Sequence, residues 1–299
     1  MMKRPDNIDG LLDRLAGFMS PESRAEVDKL VVRPDDVFIA TYSKCGTTWM
    51  QQVVHQLRSG AGMDFDEITA VVPWIEMARD MGLDPQADQA GGFRAFKTHL
   101  MASDLPPGAR YITVFRDPAT VLPSLFRFLE GWWFEVDSIT PQEFAEAIYF
   151  RGTASGWHWN HFIDWFPRVG ADDTLVLCYE DMVLAPNRVP ALVADFLGLQ
   201  ADEETLQNVV RHCSRGFMAE HLTQFDDHLL RQVMDPVWEL PPGGESSKVQ
   251  ARPRSMEMTP AIRDGLQANW DKSVAARLGF ENYQGLRSAL PNPLGVNRP

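Results

Sequence analysis

Residues 37–50, VFIATYSKCGTTWM, restrict what this 299-residue chain can fold into more than any other stretch. The first half, residues 37–42, is β-branched and aromatic, the composition of a buried strand. Residues 43–48 are small and polar, and Trp49, Met50, Val53, Val54 and Leu57 then recur at helical spacing. A strand feeding a tight loop and then a helix leaves the first N–H groups of that helix unpaired and aimed into one concavity, which is an anion site. Lys44 adds a positive charge, Gly46 permits close backbone approach, and Thr47 and Thr48 add hydroxyl donors, so phosphate is the natural guest. The same residues also suit an ordinary strand–turn–helix connection in which a threonine serves only as N-cap. A nucleoside-triphosphatase loop requires G-x-x-x-x-G-K-[ST]; here Lys44 precedes the glycine and no second glycine stands upstream, so that pattern fails.

TYSKCGTTW resembles the T-Y-P-K-S-G-T-T-W loop with which cytosolic-type sulfotransferases hold the 5′-phosphosulfate end of 3′-phosphoadenosine 5′-phosphosulfate (PAPS). Ser43 and Cys45 are the two departures. The resemblance implies that Lys44, Cys45, Gly46, Thr47, Thr48 and Trp49 bind the donor. Residues 93–100 form a second strand candidate, on which Lys97 and His99 share a face because side chains alternate. A histidine there also suits a purely structural imidazole. FKTHL resembles the family's K-T-H-L, in which the histidine is the base and the lysine assists at the transferring group. A third strand, residues 111–116, runs into Arg116-Asp117-Pro118 and a helical run over 119–128. Arg116 at a strand end suits bidentate phosphate recognition, or else an ion pair with Asp117. The family places a serine eight positions after this arginine, as Ser124 stands here, and the resemblance assigns both to the 3′-phosphate. Thr120, where aspartate is common, and Pro123 depart from the pattern.

Gly131-Trp132-Trp133-Phe134 suits either packed core or the aromatic wall of an acceptor pocket. Residues 140–169 read as helical, and GWHWNHF at 156–162 resembles the family's G-x-W-x-x-H-x-x-x-W. His158 and His161, three apart, lack a third metal ligand at fixed spacing, which favours packing or substrate contact. Residues 174–182 form a fourth strand ending Tyr179-Glu180-Asp181-Met182; the resemblance puts Tyr179 on the nucleotide, and the two carboxylates suit loop-holding hydrogen bonds. Helices are predicted over 186–198 and 202–212. Residues 212–218 then resemble the adenine-side segment, with Cys213 where threonine or cysteine is usual and Arg215 in place of an aromatic. A polar, Pro/Gly-containing stretch over 219–258 reads as a mobile loop. It carries Lys248, Arg252 and Arg254 where the family has R-K-G closing over the 3′-phosphate; the triplet is absent, so the three cations are equivalent candidates, and a solvated basic run is the alternative.

Twenty-eight basic against 41 acidic residues give a net charge of −13, which argues against a nucleic-acid binder and requires any bound anion to be held by a local basic cluster. Three cysteines without C-x-x-C spacing fit a reduced, cytoplasmic setting. Residues 1–20 do not read as a signal peptide, and no run of about 18 apolar residues offers a membrane span. Strand–helix alternation predicts one α/β domain over 1–299: a three-layer α/β/α architecture with a central parallel sheet, in the resemblance a P-loop-NTPase-like sulfotransferase fold. A lead-in helix over 1–36 and a tail over 291–299 flank it, and the site lies at the strands' C-terminal ends. The function implied is sulfuryl transfer from PAPS to a hydroxyl or amine of a small, apolar acceptor. His99 is then the general base, Lys44 and Lys97 cover charge, and no metal takes part. A phosphotransferase is the rival; it lacks its Walker lysine, while Glu180-Asp181 keeps a magnesium carboxylate open. A catalytically silent nucleotide-binding protein would make His99 dispensable. The sequence selects neither the acceptor nor an oligomeric state, and no dimerisation segment is recognisable around Lys272-Ser273-Val274.

Overall fold

The computed structural model describes residues 2–152, 156–244 and 256–298. Four strands, β1 Val37–Ala40, β2 Ala95–Thr98, β3 Arg110–Phe115 and β4 Thr174–Cys178, form one parallel sheet in the order β2-β1-β3-β4. A parallel sheet requires cover on both faces, and β1 and β2 are buried at every position. Alternation along the strands divides the core in two. Val37, Ile39, Ala95, Ile112 and Leu177 face one apolar cluster; Phe38, Ala40, Phe96, Tyr111 and Phe115 face the other.

The longer helices are α1 Ile8–Ala16, α2 Pro21–Asp28, α3 Thr47–Arg58, α4 Pro118–Leu129, α5 His158–Trp165, α6 Val189–Leu197, α7 Glu203–His212, α8 His228–Met234, α9 Pro260–Trp270 and α10 Tyr283–Ala289. Helices α3, α6 and α7 cover the first face through Met50, Val53, Val193 and Val209. Helices α4, α5 and α9 cover the second through Leu122, Leu125, Trp159, Phe162 and Ile262, joined there by Leu11 of α1 and Val27 of α2. Each such side chain, fully buried, contributes roughly 1.5–3 kcal/mol. At the opposite end from the site, Arg94 donates from Nε and Nη2 to the two carboxylate oxygens of Asp36, at 2.8 and 2.5 Å, which ties the entries of β1 and β2 together. Both side chains are buried.

The strand order reverses between β1 and β3, and the crevice outside their C-terminal ends is where such sheets bind ligands. Four stretches differ from expectation. The fourth strand ends at Cys178, and residues 179–182, expected to continue it, open a short helix, Tyr179–Leu184. The lead-in contains two helices, because Gly17 ends α1 and Ser20 caps α2 ahead of Pro21. The helix expected over 140–169 is interrupted between Phe150 and His158, where Gly152 and Gly156 take left-handed backbone conformations (φ 109° and 78°). The stretch 219–244, expected as loop, holds a helical turn, Leu222–Phe225, and α8. Leu230, Met234 and Trp238, four apart, bury one side of it, a pattern diluted among polar residues in the sequence. Lys248, Arg252 and Arg254 lie outside the described residues. Among the described residues no helix is long and apolar enough to cross a membrane.

Candidate active site

After β1 the chain turns twice with positive φ, at Lys44 (66°) and Gly46 (96°), and enters α3. Gly46 occupies the N-cap position and supplies no side-chain cap to the first N–H groups of α3. A Cβ at Gly46 would stand 3.1 Å from Cδ2 of Tyr179, so glycine is needed for the close approach of that ring as well as for the turn. The Thr41 and Thr47 hydroxyls are 2.6 Å apart across the loop, and Thr48 lies half-buried beside Thr47. Trp49 meets Tyr179 edge-on, with centroids 6.2 Å apart. Cys45 turns inward and is wholly buried, which pushes its thiol far above the usual range, and its Sγ is 3.7 Å from Nε2 of His158. The Lys44 ammonium stands 3.9 Å from the centre of the Phe128 ring.

Beside this loop, Arg116 leaves β3 and donates from Nη1 to the Lys44 carbonyl (2.6 Å) and from Nε to Thr120 Oγ1 (3.0 Å), its guanidinium 4.1 Å from the centre of the Tyr179 ring. The sequence left Asp117 as a possible partner for Arg116; instead its carboxylate caps α4 by accepting from the Ala119 N–H. Glu180 accepts from the Asp117 N–H at 3.1 Å and from the Tyr283 hydroxyl at 2.5 Å. Asp181 accepts from Arg287 at 2.7 Å and Arg298 at 2.6 Å. Both carboxylates therefore hold the turn that presents Tyr179, as expected. Ser124 is half-buried in α4, two turns beyond Arg116. Cys213 follows α7 inside the apolar cluster beneath the sheet, its thiol also raised by burial.

On the other side of β1, His99 follows β2. Its Nδ1–H donates to the Thr41 carbonyl at 2.7 Å, its main-chain N–H donates to Glu76 Oε1 at 2.7 Å, and its carbonyl accepts from His161 Nε2–H at 2.9 Å. A carbonyl can only accept, so Nδ1 carries the proton and Nε2 of the neutral ring keeps its lone pair. Burial first, and then the Lys97 charge, hold the imidazole well below its usual range; the Thr41 bond and the buried Asp227 carboxylate pull weakly the other way. Lys97 lies with Nζ 3.9 Å from the Trp74 ring centre, and the same ring meets His99 edge-on at 5.0 Å. Burial raises the Glu76 carboxyl.

An aromatic wall continues from Trp74 to Phe18 (5.5 Å between centroids), and Phe18 touches both Trp133 (5.5 Å) and Trp238 (5.1 Å). Trp238 is held from outside, donating to the Phe18 carbonyl while its own carbonyl accepts from Arg14. The fold thus gathers the 43–49 loop, Arg116 and Tyr179 on one side of β1, and Lys97 with His99 on the other. Trp74, Glu76 and the Thr41 carbonyl were not singled out from sequence. In the sequence Trp74 stands in a short apolar run, Val71-Val72-Pro73-Trp74-Ile75, which is its one local signal, and a lone glutamate carries none. His158 and His161 turn to different partners, Cys45 and the His99 carbonyl, and so pack rather than share a ligand.

The chain matches the sulfotransferase domain over residues 34–275. It is 30% identical over 229 residues to sulfotransferase 1B1 of Canis lupus familiaris, covering 70% of this chain and 74% of that protein. Against sulfotransferase 1A1 of Mus musculus it is 28% identical over 225 residues, 72% and 77% of the two chains. Among solved structures, retinol dehydratase in complex with androsterone and inactive cofactor PAP superimposes with a TM-score of 0.64 at 19% identity, covering 84% of this chain and 85% of that one. A mouse sulfotransferase complexed with PAP gives 0.60 at 18% identity, covering 85% and 90%. The sheet and its flanking helices thus have the fold of these enzymes, and the chain belongs to the sulfotransferase family. Its activity is PAPS-dependent sulfuryl transfer.

Proposed function

We propose that the acceptor is a small, apolar molecule presenting a hydroxyl or amine, and that His99 deprotonates it. The observation that carries this reading is the hydrogen bond from His99 Nδ1 to the Thr41 carbonyl. It leaves Nε2 as a base and ties that base to the turn opening the anion loop, so base and donor site are positioned by one backbone segment. The wall of Trp74, Phe18, Trp133 and Trp238 beside His99 supports an apolar, ring-bearing acceptor.

The residues present fit the donor nucleotide: an uncapped helix start, a glycine that lets Tyr179 close in, and cations at both rims of the crevice. When bound, the donor supplies a sulfuryl group already activated on phosphate. The α3 N–H groups with Lys44, Cys45, Gly46, Thr47, Thr48 and Trp49 hold its 5′ end, Arg116 and Ser124 its 3′-phosphate, and Tyr179 and Cys213 the nucleoside side. Lys248, Arg252 and Arg254 are candidates to close over the 3′-phosphate. Lys44 covers charge on the departing phosphate oxygen and Lys97 charge on the transferring group, so the reading needs no metal. Residues 1–299 act as one unit, since side chains from Leu11 to Leu290 build a single cluster on one face of the sheet. The free Cys45, Cys178 and Cys213 suit a reducing cytoplasm.

The test is thermal stabilisation by adenosine 3′,5′-bisphosphate against ATP with magnesium, followed by sulfate transfer from PAPS to a panel of phenols, alcohols and amines. His99→Ala is expected to bind the bisphosphate as wild type does and to lose about 10²–10⁴ in kcat. A His99→Ala enzyme turning over at the wild-type rate would remove the base from the mechanism.

A further inference from the structure

His158, on α5, takes no part in the chemistry above, yet it lies between the two phosphate-binding ends of the donor site. Its Nε2 is 3.7 Å from Cys45 Sγ in the anion loop, and its Nδ1 is 2.6 Å from the Tyr149 hydroxyl. That hydroxyl also lies 3.4 Å from the carbonyl of Pro118, the first residue of α4, two positions after Arg116. At 2.6 Å against 3.4 Å, the contact of the phenol with the imidazole is the short one, and the contact with Pro118 carries the string on to α4. The phenol and the thiol each meet one ring nitrogen of His158, so the imidazole links the start of α4 to the anion loop. All three side chains are buried, with Tyr149 and Cys45 fully enclosed, and the Tyr42 ring stacks on His158 at 4.3 Å. Burial, followed by the His161 and Arg116 charges, holds the imidazole well below its usual range.

We propose that His158 is a positioning residue that sets the separation between the 5′ anion loop and the Arg116 turn, so that one ligand can reach both. The string of polar contacts Cys45–His158–Tyr149–Pro118 joins the two loops, and the bond from Arg116 to the Lys44 carbonyl closes the circuit. Each end is otherwise built from a separate strand terminus, β1 and β3, whose loops share no covalent restraint. This inference rests on the donor-site reading given above.

The two-ended nature of the role makes it measurable. Adenosine 3′,5′-bisphosphate engages both ends, whereas adenosine 5′-monophosphate and adenosine 3′-monophosphate engage one each. In His158→Phe, which keeps a ring on Tyr42 and loses both hydrogen bonds, bisphosphate affinity is expected to fall roughly tenfold to a hundredfold. The affinities of the two monophosphates, read by competition, are expected to stay within about twofold of wild type. Unchanged bisphosphate affinity, or an equal loss for all three ligands, overturns the proposal. Should His158→Phe fail to fold, Tyr149→Phe cuts the same string at Pro118 while leaving the histidine in place, and the same two patterns decide. A wild-type protein that itself fails to bind the bisphosphate overturns the donor-site reading and this inference with it.

Discussion

The Nη1 of Arg116 donates to the main-chain carbonyl of Lys44 across 2.6 Å, so the strand-end arginine and the anion loop, 72 positions apart in the chain, are in direct contact. The guanidinium has further donors to offer an anion, and its face lies on Tyr179. Charge-assisted hydrogen bonds are worth about 1.5–3 kcal/mol. Arg116→Ala is therefore expected to weaken adenosine 3′,5′-bisphosphate binding roughly tenfold to a hundredfold by calorimetry, with Arg116→Lys recovering only part because the planar fork is lost. Wild-type affinity in the alanine variant would contradict the assignment.

With His99 as the proposed base, the pH dependence of catalysis is expected to follow from its burial. Its pKa lies well below 6.5, so the base is neutral throughout the range above that value. The acid limb of kcat/KM is expected below pH 6.5 and the profile flat from there to neutrality. Lys97 is the second cause of the depression, so Lys97→Met should move the limb to higher pH while lowering the rate. An acid limb centred above pH 7 in the wild type would not agree with an enclosed, proton-poor imidazole.

Gly46→Ala tests the loop itself. The residue sits at φ 96°, and an added Cβ meets Tyr179 at 3.1 Å. The left-handed backbone costs a non-glycine residue of order 1–3 kcal/mol, and the ring must shift as well. The expected result is a raised KM for the donor with little change in the KM for the acceptor. Equal changes in both would place the damage beyond the loop.

Far from the site, Arg94 and Asp36 join β1 to β2 where the strands begin. Removing one member of a buried pair leaves the other charge uncompensated, at a cost of about 3–5 kcal/mol. Asp36→Ala is expected to lower the unfolding free energy by that amount in urea titrations. A loss below about 1 kcal/mol would mean that the pair is far better solvated than its burial implies.

Stability itself should fall on acidification. Burial, then the Arg58 charge, lowers His55 from 6.5 to about 4, and burial lowers His99 and His158 as well. Below pH 6.5 the unfolded chain takes up protons that the folded one refuses, so stability present above 6.5 is lost as pH falls toward the folded-state values. Unfolding free energies measured at pH 7.5 and 5.5 should show this loss, and His55→Gln should reduce it. Greater stability at pH 5.5 would reverse the sign and defeat the account.

Much of the site was legible because its parts are short and local. The loop at 43–48 is marked by a lysine, one glycine and paired threonines after an apolar run, and the structure bears out both the strand before it and the helix after it. Lys97 and His99 follow from alternation along β2. The 219–244 segment was misread because Leu230, Met234 and Trp238 are spread through polar neighbours, and only the aromatic surface they rest on makes that spacing count. Glu76 left no trace, since a single carboxylate is ordinary until burial and the His99 N–H give it a role.

From the residues alone came the alternation of strands and helices and the strand–loop–helix at 37–57, which depend on periodicity and backbone freedom within about a dozen residues; the role proposed for His99 came from the resemblance of FKTHL to the family's motif. Tertiary structure decided which atoms meet: that His99 gives its proton to Thr41, that Asp117 caps a helix rather than pairing with Arg116, and that His158 reaches Cys45. Those outcomes depend on the order β2-β1-β3-β4, which sets the end of β1 between the ends of β2 and β3. Contacts across so many residues are selected by the packing of whole layers, and no local pattern encodes them.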